Sequence, residues 1–146
     1  MKIALASDHG GYALKERVKK YLIEKGFQSS DLVDLGCHSE ESVDYPIYGK
    51  ACGEAVVSGQ ADKGIVICGT GIGISIAANK VKGVRCSLCT SVFMAEMTRK
   101  HNDSNILALG GRILDEETAL AIVDTWLNTE FEGGRHQRRV DLLDQM

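Results

Sequence analysis

Proline is nearly missing from this chain, with Pro46 the single one among 146 residues, and no low-complexity or linker-like tract interrupts it. One domain covering residues 1–146 is expected. No apolar run approaches the ~20 residues of a membrane-spanning helix, so no membrane partner is expected. An excess of basic charge is also lacking: 17 Lys and Arg stand against 20 Asp and Glu, for a net charge of −3. That balance argues against nucleic acid as a partner, because such binding rests on neutralising phosphates. The five cysteines (Cys37, Cys52, Cys68, Cys86 and Cys89) are odd in number with no secretory leader ahead of them. A disulfide framework is therefore not expected, and a reducing cytoplasm is the expected location.

What is present is a regular alternation. Short apolar runs at Ile3 to Ala6, Leu32 to Leu35, Gly64 to Cys68, Val84 to Cys89 and Asn105 to Leu109 read as strands. Between and after them lie helical patterns at Tyr12 to Lys25, Pro46 to about Ser58, Ile74 to Lys80, Ser91 to His101 and Glu116 to Thr129. In the first of these, Leu14, Val18, Tyr21 and Leu22 mark one face at a spacing near 3.6, and Gly26 ends it. Five strand-then-helix units predict an α/β fold: a three-layer α/β/α sandwich on a five-stranded parallel sheet. A basic helical segment is expected at about 133–146.

In such sheets ligands bind beyond the carboxyl ends of the strands. That rule selects Asp8 and His9, Cys68 with the glycines after it, Thr90 with Ser91, and Gly110 to Arg112. The third of these strands carries the most pointed signal, GIVICGTGIGISIAAN over Gly64 to Asn79. Gly69, Gly71 and Gly73 follow Cys68 at alternate positions, so backbone N–H groups can approach one small anion without Cβ atoms in the way. A helix starting near Gly73 adds the positive end of its dipole, which favours a bound anion and a thiolate alike. Ile74 stands where a dinucleotide fingerprint needs its last glycine, and no P-loop lysine follows.

Each candidate has a plainer reading. Asp8 and His9 could cap the first helix. His101 with Asn102 could be an ordinary helix end, where the dipole favours a cation. The run Gly133 to Val140, with Arg135 and Arg139 four apart, could be a solvated basic tail. Cys86 and Cys89 form a C-x-x-C inside an apolar strand, which sends their side chains to opposite faces. Buried core cysteines suit that better than a dithiol redox pair, and one such pair makes no structural zinc site.

Taken together, SDHGGYALK, SVDYP, ICGTGIGISIAANK, RKHNDSNILALGGR and FEGGRHQRRVDLL occur in an order and spacing that resembles the type B ribose-5-phosphate isomerases, a family that includes galactose- and allose-6-phosphate isomerases. The resemblance spans essentially the whole chain. It implies a Rossmann-like sandwich with the third strand central, and a homodimer with active sites shared at the interface, the pairing of dimers into tetramers left open. It also implies a cofactor-independent aldose-ketose isomerase of the pentose phosphate pathway, acting on a phosphorylated sugar. Cys68 matches the family's base, and Thr70 the hydroxyl that relays protons between substrate oxygens. His101 matches the ring-opening acid or base, with Asp8 its partner. Gly69, Gly71, Ile72 and Gly73 line the turn that holds the enediolate, Asn102 contacts the sugar, and His9, Arg112, Arg135 and Arg139 fall where the family binds phosphate. No metal or organic cofactor is implied.

Three residues depart from the commonest pattern, Ile47 after Tyr45-Pro46 and the pair Thr90-Ser91, which borders the region expected to hold the sugar. Ribose 5-phosphate is the leading substrate on this reading. A hexose 6-phosphate isomerase and a phosphosugar-binding module without catalysis are the alternatives.

Overall fold

Apolar runs too short to close a helix lie side by side as strands. In the computed structural model, which covers residues 1–146, the strands are β1 (Ile3–Ser7), β2 (Leu32–Asp34), β3 (Lys63–Cys68), β4 (Cys86–Leu88) and β5 (Ile106–Gly110). All pair in parallel in the order β2-β1-β3-β5-β4, so β3 is central. Its register places Cys68 beside Gly110 and Ile67 beside Ser7. The helices are α1 (Tyr12–Glu24), α2 (Tyr45–Val57), α3 (Ile72–Asn79), α4 (Val92–Asn102), α5 (Glu116–Asn128) and α6 (Arg135–Asp144). None is long and apolar enough to cross a membrane.

Side-chain alternation along the strands divides the core in two. Ile3, Leu5, Ile65, Ile67, Leu107 and Leu109 face α1, α4 and α5, where Val18, Leu22, Ala95, Ile122 and Trp126 meet them. Ala4, Ala6, Val66, Cys68 and Ile106 face α2 and α3. The smaller residues of the second face let α2 and α3 approach closely: a Cβ on Gly49 would fall 2.8 Å from the Cβ of Ala77. Burial of a large aliphatic side chain stabilises by about 1.5–3 kcal/mol, so this double core dominates the fold's stability.

The architecture is the one expected; several boundaries moved. Helix α3 begins at Ile72, two residues before Ile74, because Gly71 adopts φ +80° and turns the chain straight into the helix. Strand β4 is shorter than Val84 to Cys89, since this edge strand has β5 as its one neighbour. Cys86 and Cys89 do face opposite sides, each packed in a different half of the core. Burial pushes both thiols up, Cys89 to about 11 and Cys86 beyond the ordinary thiol range.

Candidate active site

Three strand ends converge at the centre of the carboxyl-side rim. Cys68 closes β3, almost fully buried, and its Sγ accepts the Gly71 N–H at 3.1 Å. An N–H aimed at sulfur favours electron density there. The Ile72 N–H is donated to Thr70 Oγ1 at 3.2 Å. By contrast, the N–H groups of Gly69, Thr70, Gly73 and Ile74 meet no backbone acceptor in the chain. The turn thus divides its donors: two hold the cysteine and threonine in place, while the others remain open to a ligand, with the first turn of α3 among them.

The glycines are required by their neighbours. A Cβ on Gly71 would fall 2.6 Å from Leu88 Cδ1 and 2.8 Å from the Leu109 carbonyl carbon; one on Gly73 would fall 2.7 Å from the Tyr45 ring. The β5 loop locks onto this turn, with the Gly111 N–H donated to Cys68 O at 2.8 Å and the Arg112 N–H to Gly69 O at 2.9 Å. That brings the Arg112 guanidinium over Gly10 and Gly69, where added Cβ atoms would lie 3.3 and 3.1 Å away from it.

Asp8 follows β1 on the same rim, with its backbone N–H donated to Ile67 O at 3.2 Å. Its Oδ1 accepts the Gly11 N–H at 3.1 Å, yet the N-cap of α1 is Gly11, so Asp8 stabilises the approach to the helix rather than its first turn. His9 Nδ1 accepts the Val43 N–H at 3.1 Å. That bond fixes the tautomer with the proton on Nε2 and leaves Nε2–H as a donor. The loop position of Val43 was not among the sequence candidates, and nothing local in the sequence ties it to His9, 34 residues away.

His101, Asn102, Arg135 and Arg139 lie elsewhere. Helix α4 leaves the carboxyl-side rim after β4 and returns to the start of β5, so its last turn sits at the opposite edge of the sheet. Two arginines clamp it there. Arg85, just before β4, donates to Asn102 O (3.1 Å) and Asp103 O (3.0 Å), and Arg99 donates to Ser104 O (2.7 Å), Thr129 O (3.1 Å) and Asp103 Oδ1 (2.8 Å). Thr98 Oγ1 orients the Asn102 side chain by donating to its Oδ1 at 3.0 Å. Helix α6 packs against α4 and carries Arg135 and Arg139, both exposed.

At this junction the His101 ring stacks on His136, with centroids 4.3 Å apart and an interplanar angle of 15°, and His101 Nε2 lies 3.7 Å from Glu132 Oε1. Burial, then His101 and Arg135, hold His136 below the usual histidine range. Neither His136 nor Glu132 stood out in the sequence; both lie inside the FEGGRHQRRVDLL stretch, but no periodicity links them to His101. The candidate residues therefore form two constellations. Asp8, His9, Cys68 to Gly73 and Arg112 share one rim, and His101, Asn102, Arg135 and Arg139 share the far edge.

Comparisons with known proteins converge on one family. A family model described as Ribose/Galactose Isomerase matches residues 3–143. The chain is 46% identical over 142 residues to ribose-5-phosphate isomerase B of Escherichia coli (strain K12), covering 97% of this chain and 93% of that protein. Among solved structures, the ribose-5-phosphate isomerase B of Clostridium thermocellum superposes with a TM-score of 0.96 at 55% identity, covering 99% of this chain and 96% of that one. The Mycoplasma genitalium enzyme, solved with bound ribulose-5-phosphate, gives 0.91 at 40% identity over 99% and 94% of the two chains.

Proposed function

The chain belongs to the ribose/galactose isomerase family, and from that premise we propose that it interconverts ribose 5-phosphate and ribulose 5-phosphate through an enediolate, without a cofactor. The observation that carries the mechanism is the Cys68 turn, where a buried sulfur faces a loop with unpaired N–H groups. Starting from the aldose, Cys68 as thiolate removes the C2 proton. The electrons move onto the carbonyl oxygen, and the enediolate is held by the open N–H groups of the turn. Each such donor is worth roughly 3 kcal/mol. Thr70 shuttles a proton between the oxygens of C1 and C2, and the proton on Cys68 returns to C1 to give the ketose. Ring opening comes first: His101, with Asp8, moves a proton between the anomeric hydroxyl and the ring oxygen.

This chemistry needs the two constellations in one place, and a second copy of the chain supplies that. In a homodimer, the far edge of one subunit delivers His101, Asn102, Arg135 and Arg139 to the rim of the other. The rim has the surface for such a partner. Ile72 and Ile76 lie four apart on α3 and are 52% and 56% exposed, and Phe93 and Ile113 are 67% and 60% exposed. Apolar groups of that size gathered around a polar site mark an interaction surface. The phosphate is then gripped by His9 Nε2–H, Arg112, Arg135 and Arg139, away from the reacting carbons. A metabolic role in the cytoplasm fits this reading.

The test is direct. Purified protein incubated with ribose 5-phosphate is expected to form ketose, and absence of turnover with every aldose phosphate tried would overturn the isomerase reading. Parallel rates on allose and galactose 6-phosphates rank the substrates.

A further inference from the structure

Two imidazoles and a carboxylate from different segments meet at the far edge of the sheet, with one ligand atom of each of His101, Glu132 and His136 within 4.8 Å of the others. We infer that these three form a binding site for a borderline-soft divalent cation of the zinc class, and that filling it takes His101 out of ring-opening chemistry. The site itself stands on geometry; the inhibition rests on the isomerase reading above.

Two histidine nitrogens and one carboxylate oxygen, with a fourth position open to water, suit such an ion. Bonds of about 2.0–2.2 Å in a tetrahedron put neighbouring ligand atoms roughly 3.4 Å apart, so the side chains must close by a little over 1 Å. Two of them are free to do so: His101 is 41% and Glu132 51% exposed. His136 is buried and serves as the fixed ligand. The Glu132 N–H donates to Lys100 O at 3.2 Å, which ties the loop before α6 to the last turn of α4 and keeps the three ligands together.

A stack of near-parallel rings cannot direct two nitrogen lone pairs at one ion, since each lone pair lies in its own ring plane. Binding therefore tilts the His101 ring off His136, and this tilt is what removes it from the substrate. Arg135 and Arg139 on the adjoining helix oppose a cation, so the affinity falls below that of a structural zinc site. An anion on those arginines would offset them.

Binding is read without catalysis in the full-length Cys68→Ala chain, where the thiol nearest the substrate cannot compete. Titration with Co²⁺ should develop the visible bands of a low-coordinate ion. Adding Glu132→Gln or His136→Ala should weaken binding at least about tenfold, the scale on which even outer partners of a metal site count. Because Glu132 is exposed, its substitution leaves the fold intact and decides the matter should His136→Ala unfold. Unchanged Co²⁺ affinity in Glu132→Gln overturns the site. In the otherwise wild-type chain, Zn²⁺ should inhibit isomerisation reversibly to chelator, and Glu132→Gln should raise the inhibitory concentration by the factor seen in binding. Inhibition that does not follow binding overturns the second half, while absence of any turnover would sink the isomerase reading and leave the cobalt result standing.

Discussion

A mixed dimer offers the sharpest test of how the two constellations combine. Helix α4 begins at Val92; at 1.5 Å per residue it carries His101 about 14 Å from the rim where the helix begins. No histidine side chain spans that gap to Cys68 within one chain. Coexpressing a Cys68→Ala subunit under one tag with a His101→Ala subunit under another, then purifying through both tags, isolates the heterodimer. If each site takes its cysteine from one chain and its histidine from the other, two-fold symmetry leaves one site intact and makes the other doubly deficient. The heterodimer should then recover about half the wild-type turnover with ribose 5-phosphate, while each parent homodimer stays near background. Initial rates of ketose formation at saturating substrate supply the measurement. A heterodimer no more active than its parents refutes the shared site, and so does a wild-type protein that sediments as a fully active monomer.

Cys68→Ala alone should lower kcat by about 10²–10⁴, the usual contribution of a positioned base, while phosphosugar binding measured calorimetrically survives; wild-type turnover would remove Cys68 from the mechanism. Gly71→Ala forces a left-handed alanine, costing about 1–2 kcal/mol, and drives its Cβ against Leu88 and the Leu109 backbone, so urea unfolding should show a loss of at least about 2 kcal/mol together with lost activity. At Asp34, burial raises the carboxyl pKa, but hydrogen bonds from Lys15, Lys19 and the Gly36 N–H outweigh it and hold the group at about 2, against an ordinary 3.8. A depressed folded pKa gives stability that is complete above the unfolded value and lost as the pH falls from about 4 to about 2. The gap corresponds to roughly 2 kcal/mol. Asp34→Asn should therefore unfold more easily at pH 7, the more so because fully buried Lys15 loses one of its two carboxylate partners and keeps only Glu16, and the difference from wild type should shrink below pH 3. A constant difference across that range would refute the assignment.

Periodicity determined much of this protein. Apolar runs of four to six residues alternating with helical patterns specify a parallel sheet almost uniquely, because parallel strands need crossovers of helix length. The glycines after Cys68 were readable for the same local reason, since the turn needs φ > 0 at Gly71 and has no room for side chains at Gly71 and Gly73. Boundaries such as the length of β4 were not, because an edge strand is defined by a single ladder, here only Cys86 to Leu88 against β5.

The site divides along the same line. That Cys68, Asp8 and Arg112 belong together follows from all three lying at strand ends, a rule of topology that the sequence carries. That His101 and Asn102 close the fourth helix just before the fifth strand, and so need not share this rim, is legible by the same rule; tertiary structure alone decided that Arg85 and Arg99 clamp that turn and that His101 stacks on His136, 35 positions away. It alone decided which N–H groups of the turn hold Cys68 and Thr70 and which stay open. Such pairings are long-range contacts between side chains and backbone, and local patterns do not encode them until the chain has folded around its two-sided core.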